Sequence, residues 1–343
     1  MKRVVKAGVA ALACLCAGSV AAAGNDSVGR SSQQASCFGD CVVPSLREQE
    51  GMRAWAEEGY TLRDVAIFLD EQGNDPRTLV TPEDDLPGLG IIKAYAPVGD
   101  KKQFSGIGTA TLINECLIIT NKHVVSDETS NLTNFIFEAG IQQKAVGVNP
   151  QNASYAHIIE SGNYNDNDNS TFHEDWAILK IDRNLGEEFG YQEPLFLPES
   201  DATKLQNLTS SGIIEDDLDP LFITDGNISL KKHSNCSAKG FDENVRFPDQ
   251  ESDGTIFTGG MMTNCSSMPG SSGGSVSIKR NGKTRMIGVT RNGYTREKER
   301  KWDYINTNVY VPFISKPTTV TNSLTQERLE RIIREHPCTI GTP

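Results

Sequence analysis

The chain has 343 residues and a formal net charge of −12, because its 45 Asp and Glu residues outnumber its 33 Lys and Arg residues. An acidic surface lacks the basic face that a nucleic acid requires, so we expect no nucleic-acid partner. Beyond the first residues, no stretch approaches the roughly 18 apolar residues of a membrane span, so we expect no membrane association once the N-terminal segment is removed.

The N-terminus has the pattern of a secretory signal. Three basic residues among the first six precede an uncharged apolar stretch over residues 7–20, and alanines occupy residues 21–23. We predict that residues 1–23 are a signal peptide and that the protein is secreted or periplasmic. A lipoprotein signal at Cys14 is the alternative, but it would leave a very short apolar region.

Residues 24–90 are predicted to form an N-terminal extension. Residues 24–36 are polar, a helical pattern with capping boxes follows over 37–73, and the proline-rich acidic stretch 74–90 is typical of a linker. We interpret the extension as a small helical appendage and a candidate propeptide. The alternative is that its helices pack permanently on the rest of the protein.

The sequence pattern changes at Ile91. From there on, short β-rich runs are separated by Gly, Asn and Asp. Asn281 and Gly282 lie between two such runs, which is a strong signal for a hairpin. Many short strands joined by turn residues predict an all-β fold, either an antiparallel barrel or a sandwich.

The last segment, residues 316–343, is predicted to be a helix with a tail. An amphipathic pattern runs from about Leu324 to Glu335, and Ser323 is the predicted N-cap. Pro337 follows directly and is incompatible with further helix, so we expect the helix to stop there.

Six cysteines follow the predicted signal peptide, and an even number in an exported chain indicates disulfides. They are Cys37, Cys41, Cys116, Cys236, Cys265 and Cys338. A zinc site would need a second close pair or nearby histidines, and neither accompanies the pair Cys37 and Cys41. The Asn- and Asp-rich run 165–169 lacks the Glu and Gly of a calcium loop. We therefore expect a solvated loop and no metal, and calcium binding through the oxygen side chains of this run is the alternative.

Three short motifs contain the residue types of nucleophilic catalysis. His123 follows the β-rich run 117–120, Asp175 directly precedes an apolar strand, and Ser272 lies in a Gly- and Ser-rich stretch. Each has an ordinary structural interpretation on its own: a surface histidine, a strand-capping aspartate and a flexible loop. Their order along the chain, His then Asp then Ser, is the more informative observation, with separations of 52 and 97 residues.

Together these motifs resemble the trypsin/chymotrypsin-like serine peptidase superfamily, in which the triad has this order. In detail, the sequences around residues 106–113, 119–125, 175–179 and 269–274 look most similar to the bacterial glutamyl-endopeptidase-like branch. The resemblance covers about residues 91–315. It implies an all-β fold of two antiparallel six-stranded β-barrels with the active site between them, and it implies that the chain is a serine-type endopeptidase.

The resemblance also implies the roles of individual residues. Ser272 would be the nucleophile, His123 the general base and acid, and Asp175 the carboxylate that orients the histidine. The backbone N–H groups of Gly270 and Ser272 would form the oxyanion hole. The residues that match the primary substrate pocket are Ser266, Ser267, Thr290 and Gly293. Protein or peptide substrates, a monomer and no cofactor are the matching expectations.

The sequence departs from the family pattern at three positions. Trypsins have an aspartate directly before the nucleophile, where this chain has Ser271, so activation by a buried N-terminal ion pair is not expected. Trypsins have an aspartate at the position of Ser266, and glutamyl endopeptidases have a histidine at the position of Thr290. The preferred cleavage residue is therefore left open.

One disulfide is favoured at this point. Cys236 and Cys265 lie in the same half of the predicted fold and flank the approach to the nucleophile loop, so we expect them to pair. The other four cysteines allow three pairings.

A second function is also left open, because a catalytically inactive trypsin-fold binding protein would share this fold. Such proteins usually lose a triad residue, and all three are present here.

Overall fold

The computed structural model describes residues 76–338 apart from ten internal gaps. The gaps are residues 99–100, 127–133, 141, 145–148, 166–168, 214–226, 242–259, 268–269, 295–306 and 317–323. The predicted signal peptide and the predicted helices of the extension lie outside the described residues, as do Cys37 and Cys41. The predictions for these segments therefore stay predictions.

Strands dominate the described residues. In chain order they are β1 (Thr78–Leu79), β2 (Leu89–Val98), β3 (Lys101–Leu112), β4 (Leu117–Thr120), β5 (Asn134–Ala139), β6 (Gln142–Lys144), β7 (Ala153–Ser161), β8 (Ala177–Ile181), β9 (Leu197–Pro198), β10 (Leu208–Ile213), β11 (Asn227–Cys236), β12 (Ala238–Phe241), β13 (Met261–Thr263), β14 (Ser275–Arg280), β15 (Lys283–Tyr294), β16 (Thr307–Pro312) and β17 (Ile314–Lys316). The α-helices are α1 (Lys122–Val125), α2 (Leu185–Phe189), α3 (Glu199–Ala202) and α4 (Gln326–Glu335), and 3₁₀ helices cover Pro82–Asp84 and Asn169–Glu174.

The first half of the fold is a closed six-stranded barrel with the strand order β2-β3-β4-β8-β7-β5. Strand β4 is buried along its whole length, because both of its faces are covered by neighbouring structure. Closure leaves this sheet without exposed edges, which is how small antiparallel barrels avoid edge-to-edge association. A buried ion pair, Lys93 to Glu138 at 2.8 Å, lies between β2 and β5.

The second half is a nine-stranded sheet. Its strands run in the order β1-β11-β10-β14-β15-β16-β13-β12, and β6 also pairs with β11. The predicted hairpin is present: Asn281 and Gly282 connect β14 to β15, and both have positive φ, at 54° and 76°. Residues of this kind are what a tight hairpin turn requires. The expected all-β class is confirmed, and this architecture fits the trypsin fold that the resemblance implied.

Residues 76–88, which the sequence analysis assigned to a linker, pack against the second half of the fold. Strand β1 pairs with β11, and Val80 is buried in a cluster with Leu89 and Leu230. The carbonyl of Asp85 accepts a hydrogen bond from Thr284 Oγ1 at 2.7 Å. Proline and acidic residues are compatible with a 3₁₀ turn and with an edge strand as well as with a linker, so composition did not reveal this packing.

The C-terminal helix is present but begins later than predicted. Helix α4 starts at Gln326, and Thr325 is its N-cap, since its side chain accepts the N–H of Arg328 at 3.1 Å. The prediction of Ser323 as the cap is therefore wrong by two residues. Leu329 and Ile332 on this helix are buried in the main hydrophobic core. In the part of the chain that the structure describes, no helix is long and apolar enough to cross a membrane.

Candidate active site

His123 lies on the single-turn helix α1, which follows β4 directly. The turn is closed by the N–H of Ser126, which donates to the carbonyl of Lys122 at 2.8 Å. The His123 side chain is 23% exposed, so one side of the ring is accessible from solvent. The end of a rigid barrel strand therefore presents the imidazole at the surface of the first barrel.

Asp175 lies between the second 3₁₀ helix and β8, and its side chain is fully buried. Its Oδ2 lies 2.7 Å from Nδ1 of His123, and its Oδ1 accepts the backbone N–H of His123 at 3.0 Å. Burial by itself would raise the pKa of Asp175, but the facing His123 and the guanidinium of Arg291 outweigh it and lower the pKa to about 2. The carboxylate is therefore ionised at neutral pH and bonded to the imidazole.

Backbone hydrogen bonds hold the loop around Ser272 to both halves of the fold. The carbonyl of Ser272 accepts the N–H of Thr109 at 2.8 Å, and the N–H of Gly273 lies 2.9 Å from the carbonyl of Thr290. Gly273 has φ of +86°, and a Cβ there would lie 2.0 Å from the carbonyl oxygen of Thr109. Glycine at this position is therefore required both by the backbone conformation and by the close approach of two chain segments.

Gly270, the other residue assigned to the oxyanion hole, also has φ of +86°. Its carbonyl accepts a hydrogen bond from Thr109 Oγ1 at 2.8 Å, and Thr109 Oγ1 in turn accepts the N–H of Ile213 at 2.9 Å. Ser271 Oγ donates to the carbonyl of Ile213 at 2.8 Å. The uncharged residue before Ser272 thus anchors the loop to β10 by a hydrogen bond.

Asn121 connects the two halves of the site, and the sequence analysis did not identify it. Its side-chain amide donates to the backbone carbonyl of Asp175 at 2.7 Å, and its Oδ1 accepts the N–H of Gly273 at 2.6 Å. The residue itself is fully buried. One side chain therefore fixes the segment that contains the carboxylate relative to the loop that contains the serine.

Arg291 is a second functional candidate that the sequence analysis missed. Its Nε lies 2.7 Å from Oδ2 of Asp175, and its backbone carbonyl accepts a hydrogen bond from Ser272 Oγ at 3.2 Å. Arg291 therefore contacts the carboxylate and the serine at the same time. Its sequence position gave one signal: it lies between Thr290 and Gly293, which the resemblance assigned to the substrate pocket.

The residues predicted to line the substrate pocket are mostly buried. Ser266, Ser267 and Thr290 are each less than 4% exposed, and Thr290 Oγ1 lies 3.2 Å from Ser210 Oγ. Ser266 borders a small cavity together with Ser210, Ser271, His233 and Arg77. Its N–H donates to Nδ1 of His233 at 2.7 Å.

Two further pocket residues differ in setting. Ser267 Oγ is buried and has no hydrogen-bond partner among the residues that the structure describes. Gly293 lies farther along β15, beyond an irregularity in the pairing with β16, and it faces Asn308. Thr290 and Gly293 both pair with β16, and Ser266 borders the small cavity that Ser210 also lines. The assignment of these four residues to a substrate pocket stays a prediction.

Two disulfides are present among the described residues. Cys236 and Cys265 are bonded, as favoured from the sequence, and this bond lies just before the stretch that leads to Ser272. Cys116 is bonded to Cys338, so neither of them is joined to Cys37 or Cys41, which lie outside the described residues. Within the described ranges, no group of three or more His, Cys, Asp or Glu side chains is arranged to hold a metal ion.

A closed six-stranded barrel, a second antiparallel sheet and a buried carboxylate bonded to a histidine define the class of trypsin-like peptidase domains. The family model described as Trypsin matches residues 97–314. The chain belongs to the trypsin family.

Two solved structures are similar to the chain at low sequence identity. A structure of Glu endopeptidase in complex with MPD is 19% identical, with 77% of this chain and 97% of that chain covered and a TM-score of 0.45. The protease Anisep from Arthrobacter nicotinovorans is 17% identical, with 72% and 98% covered and a TM-score of 0.43. No curated protein matches the chain.

Proposed function

We propose that the protein is a secreted serine endopeptidase, in which Ser272 is the nucleophile, His123 the general base and Asp175 the carboxylate that orients the histidine. The observation that supports this most strongly is the fully buried carboxylate of Asp175, whose Oδ2 lies 2.7 Å from Nδ1 of His123. A carboxylate in this position fixes the tautomer of the imidazole, so that Nε2 is free of a proton and can accept one.

The chemistry is acyl transfer in two steps. Ser272 Oγ bonds to the carbonyl carbon of the substrate while its proton passes to Nε2 of His123. The C–N bond then breaks, and the amine leaves with the proton from His123. In the second step, a water molecule gives a proton to His123 and attacks the acyl carbon, which releases the acid product and restores the Ser272 hydroxyl.

Negative charge develops on the substrate oxygen in both steps, and the backbone N–H groups of Gly270 and Ser272 are the proposed donors to it. The positive φ of Gly270 and the hydrogen bond from Thr109 to its carbonyl support this assignment. The hydrogen bond fixes the Gly270–Ser271 peptide plane before substrate arrives, and the backbone conformation of Gly270 orients its own N–H relative to that plane. Donors that are fixed in advance need no reorganisation when the charge appears.

The direct test is covalent labelling of the nucleophile with a fluorophosphonate probe, followed by mapping of the adduct. We expect the adduct on Ser272 in the wild type and none in Ser272→Ala, whose peptide hydrolysis falls by about 10⁴-fold or more. Ser200→Ala, at an exposed serine, is the matched control and should label as the wild type does.

An adduct on Ser271 or Ser275, or hydrolysis by Ser272→Ala within tenfold of the wild type, would contradict the assignment. A folded wild type that neither labels nor hydrolyses peptides would instead indicate the inactive binding protein that the sequence left open. Secretion is supported by the pattern of residues 1–23 and by the two disulfides, since disulfides form and persist in exported proteins.

A further inference from the structure

We propose that Arg291 is a positioning residue of this site: its guanidinium holds the Asp175 carboxylate, and its backbone carbonyl holds the Ser272 hydroxyl in the resting enzyme. The inference rests on the proposed function, because it assigns a task within the same site. It goes beyond it by adding a fixed positive charge next to the carboxylate that faces the general base.

The guanidinium is buried and supported on two sides. Arg291 is 8% exposed, and its Nε lies 2.7 Å from Oδ2 of Asp175, which is fully buried. Nη2 donates a hydrogen bond to the hydroxyl of Tyr164, and Cζ lies 4.7 Å from the centroid of the Tyr164 ring. A buried charge pair with these additional contacts has a single well-defined geometry, because either ion would be costly to leave unpaired.

Three hydrogen bonds fix the orientation of the Asp175 carboxylate. Oδ2 is shared by Nδ1 of His123 and Nε of Arg291, each at 2.7 Å, and Oδ1 accepts the backbone N–H of His123 at 3.0 Å. Among the described side chains, His123 and Arg291 are the two that bond to this carboxylate. Without Arg291, the carboxylate would depend on His123 alone, and His123 is the group that must be oriented.

The backbone of Arg291 acts on the other end of the site. Ser272 Oγ donates to its carbonyl at 3.2 Å, and Ser272 is 6% exposed. The hydroxyl has one proton, so while that proton is directed at Arg291 it is directed away from His123. Because one residue makes both contacts, a displacement of Arg291 is expected to disturb the carboxylate and the nucleophile together.

The charge of Arg291 has a separate consequence for the pH profile. A guanidinium remains protonated at every working pH, so it disfavours a second positive charge on His123 nearby. The segments around His123 and Asp175 contain four other titratable or charged residues. They are Lys122, Tyr164, His173 and Glu174. Replacing Arg291 with a neutral residue removes one like charge. Protonated His123 is then favoured, and the acidic limb of the activity profile should move to higher pH.

The test compares Arg291→Gln with Arg291→Lys. Three quantities are measured across pH. They are the rate constant for fluorophosphonate labelling of Ser272, and kcat and KM for a fluorogenic peptide that the wild type cleaves, chosen by screening a mixed library. We expect Arg291→Gln to lower kcat by about 100-fold with KM within about threefold, because misplaced catalytic groups affect the chemical step. Arg291→Lys keeps the charge but not the planar donor geometry. It should therefore restore the wild-type midpoint of the acidic limb of the pH profile, but only part of the wild-type kcat.

Arg285→Gln is the matched control, because Arg285 lies on the same strand and pairs with Glu193 at the surface, at 2.7 Å. It should behave as the wild type does. If Arg291→Gln does not fold, Tyr164→Phe keeps the ring and removes the hydroxyl that holds the guanidinium, and it should lower kcat in the same direction by a smaller factor. Wild-type kcat and an unmoved acidic midpoint in the folded variant would overturn the inference. A wild type that is not labelled would overturn the proposed function itself.

Discussion

Asp175 is a charged group without access to solvent, and its ionisation is linked to the stability of the fold. Its pKa is lowered from 3.8 to about 2, although burial alone acts in the opposite direction. A carboxyl group whose pKa is lower in the folded state stabilises the protein at pH values above the unfolded pKa. That contribution is lost as the pH falls through the folded pKa.

We therefore expect a loss of about 2 kcal/mol in unfolding free energy from this group between about pH 4 and pH 2, which is the shift converted at about 1.4 kcal/mol per unit. The measurement is urea unfolding at several pH values in a Ser272→Ala background, which prevents self-digestion. Asp175→Asn should lack this part of the pH dependence. Asp182→Asn, at a half-exposed carboxylate, should keep it. Identical pH slopes for Asp175→Asn and its parent would contradict the expectation.

At the residue scale, sequence reasoning identified the groups whose local motifs are distinctive. His123, Asp175 and Ser272 each lie beside a strand or in a glycine-rich loop, and their order added to the signal. Asn121 and Arg291 have no such local signature. The hydrogen-bonded residues Arg291 and Asp175 are 116 positions apart in the sequence, and Asn121 and Gly273 are 152 positions apart. Contacts at such separations depend on how the two halves of the fold pack, and local sequence patterns do not reveal that packing.

At the scale of single elements, helix α4 is the clearest example of a short segment that stabilises the site from a distance. Leu329 and Ile332 are buried in the cluster that includes Trp176, the residue directly after Asp175. The guanidinium of Arg328 also lies 4.6 Å from the centre of the Trp176 ring. The helix therefore packs against Trp176, which lies between Asp175 and the first residue of β8.

Truncation of one buried side chain on α4 tests this packing. We expect Ile332→Ala to lower the unfolding free energy by about 2–5 kcal/mol, because it removes buried methyl groups and leaves a cavity. Arg334→Ala, on the exposed face of the same helix, should change it by less than about 0.5 kcal/mol. Both values come from urea unfolding of the Ser272→Ala protein. Equal effects of the two substitutions would show that the helix is not part of the cooperative core.

The elements themselves were predicted with uneven success, for physical reasons. The Asn281-Gly282 hairpin and the amphipathic pattern of α4 are local signals, and both elements are present. The cap of α4 was assigned to Ser323 although Thr325 performs that role, because several hydroxyl side chains precede the helix and local pattern does not rank them. The 76–88 segment was interpreted as a linker because strand pairing with β11 is a long-range property.

At the scale of the whole molecule, residues 76–88 contribute to the contact between the two halves of the fold. Val80 belongs to a buried cluster with Leu89 and Ile91 of the first barrel and with Ile213 and Leu230 of the second sheet. Residues that connect the barrel and the second sheet in one buried cluster make the unfolding of the two halves cooperative. If the extension is a propeptide, we therefore expect processing to occur before residue 76.

Val80→Ala and Leu79→Ala form a matched pair for testing this contact. Val80 is 6% exposed and Leu79 is 54% exposed. We expect Val80→Ala to reduce the unfolding free energy by about 1–3 kcal/mol, whereas Leu79→Ala should cost less than about 0.5 kcal/mol. Chemical denaturation followed by tryptophan fluorescence provides the measurement. A Val80→Ala protein as stable as its parent would contradict the expectation that this contact stabilises the fold.

The bond between Cys116 and Cys338 spans 222 positions of the chain. Every residue of the proposed catalytic group lies between these two cysteines, and the bond from Cys236 to Cys265 is nested inside the same covalent ring. A single proteolytic nick anywhere from 117 to 337 would therefore open the ring without separating its pieces. Such nicked molecules should migrate at full mass on a non-reducing gel and divide into fragments only after a thiol is added.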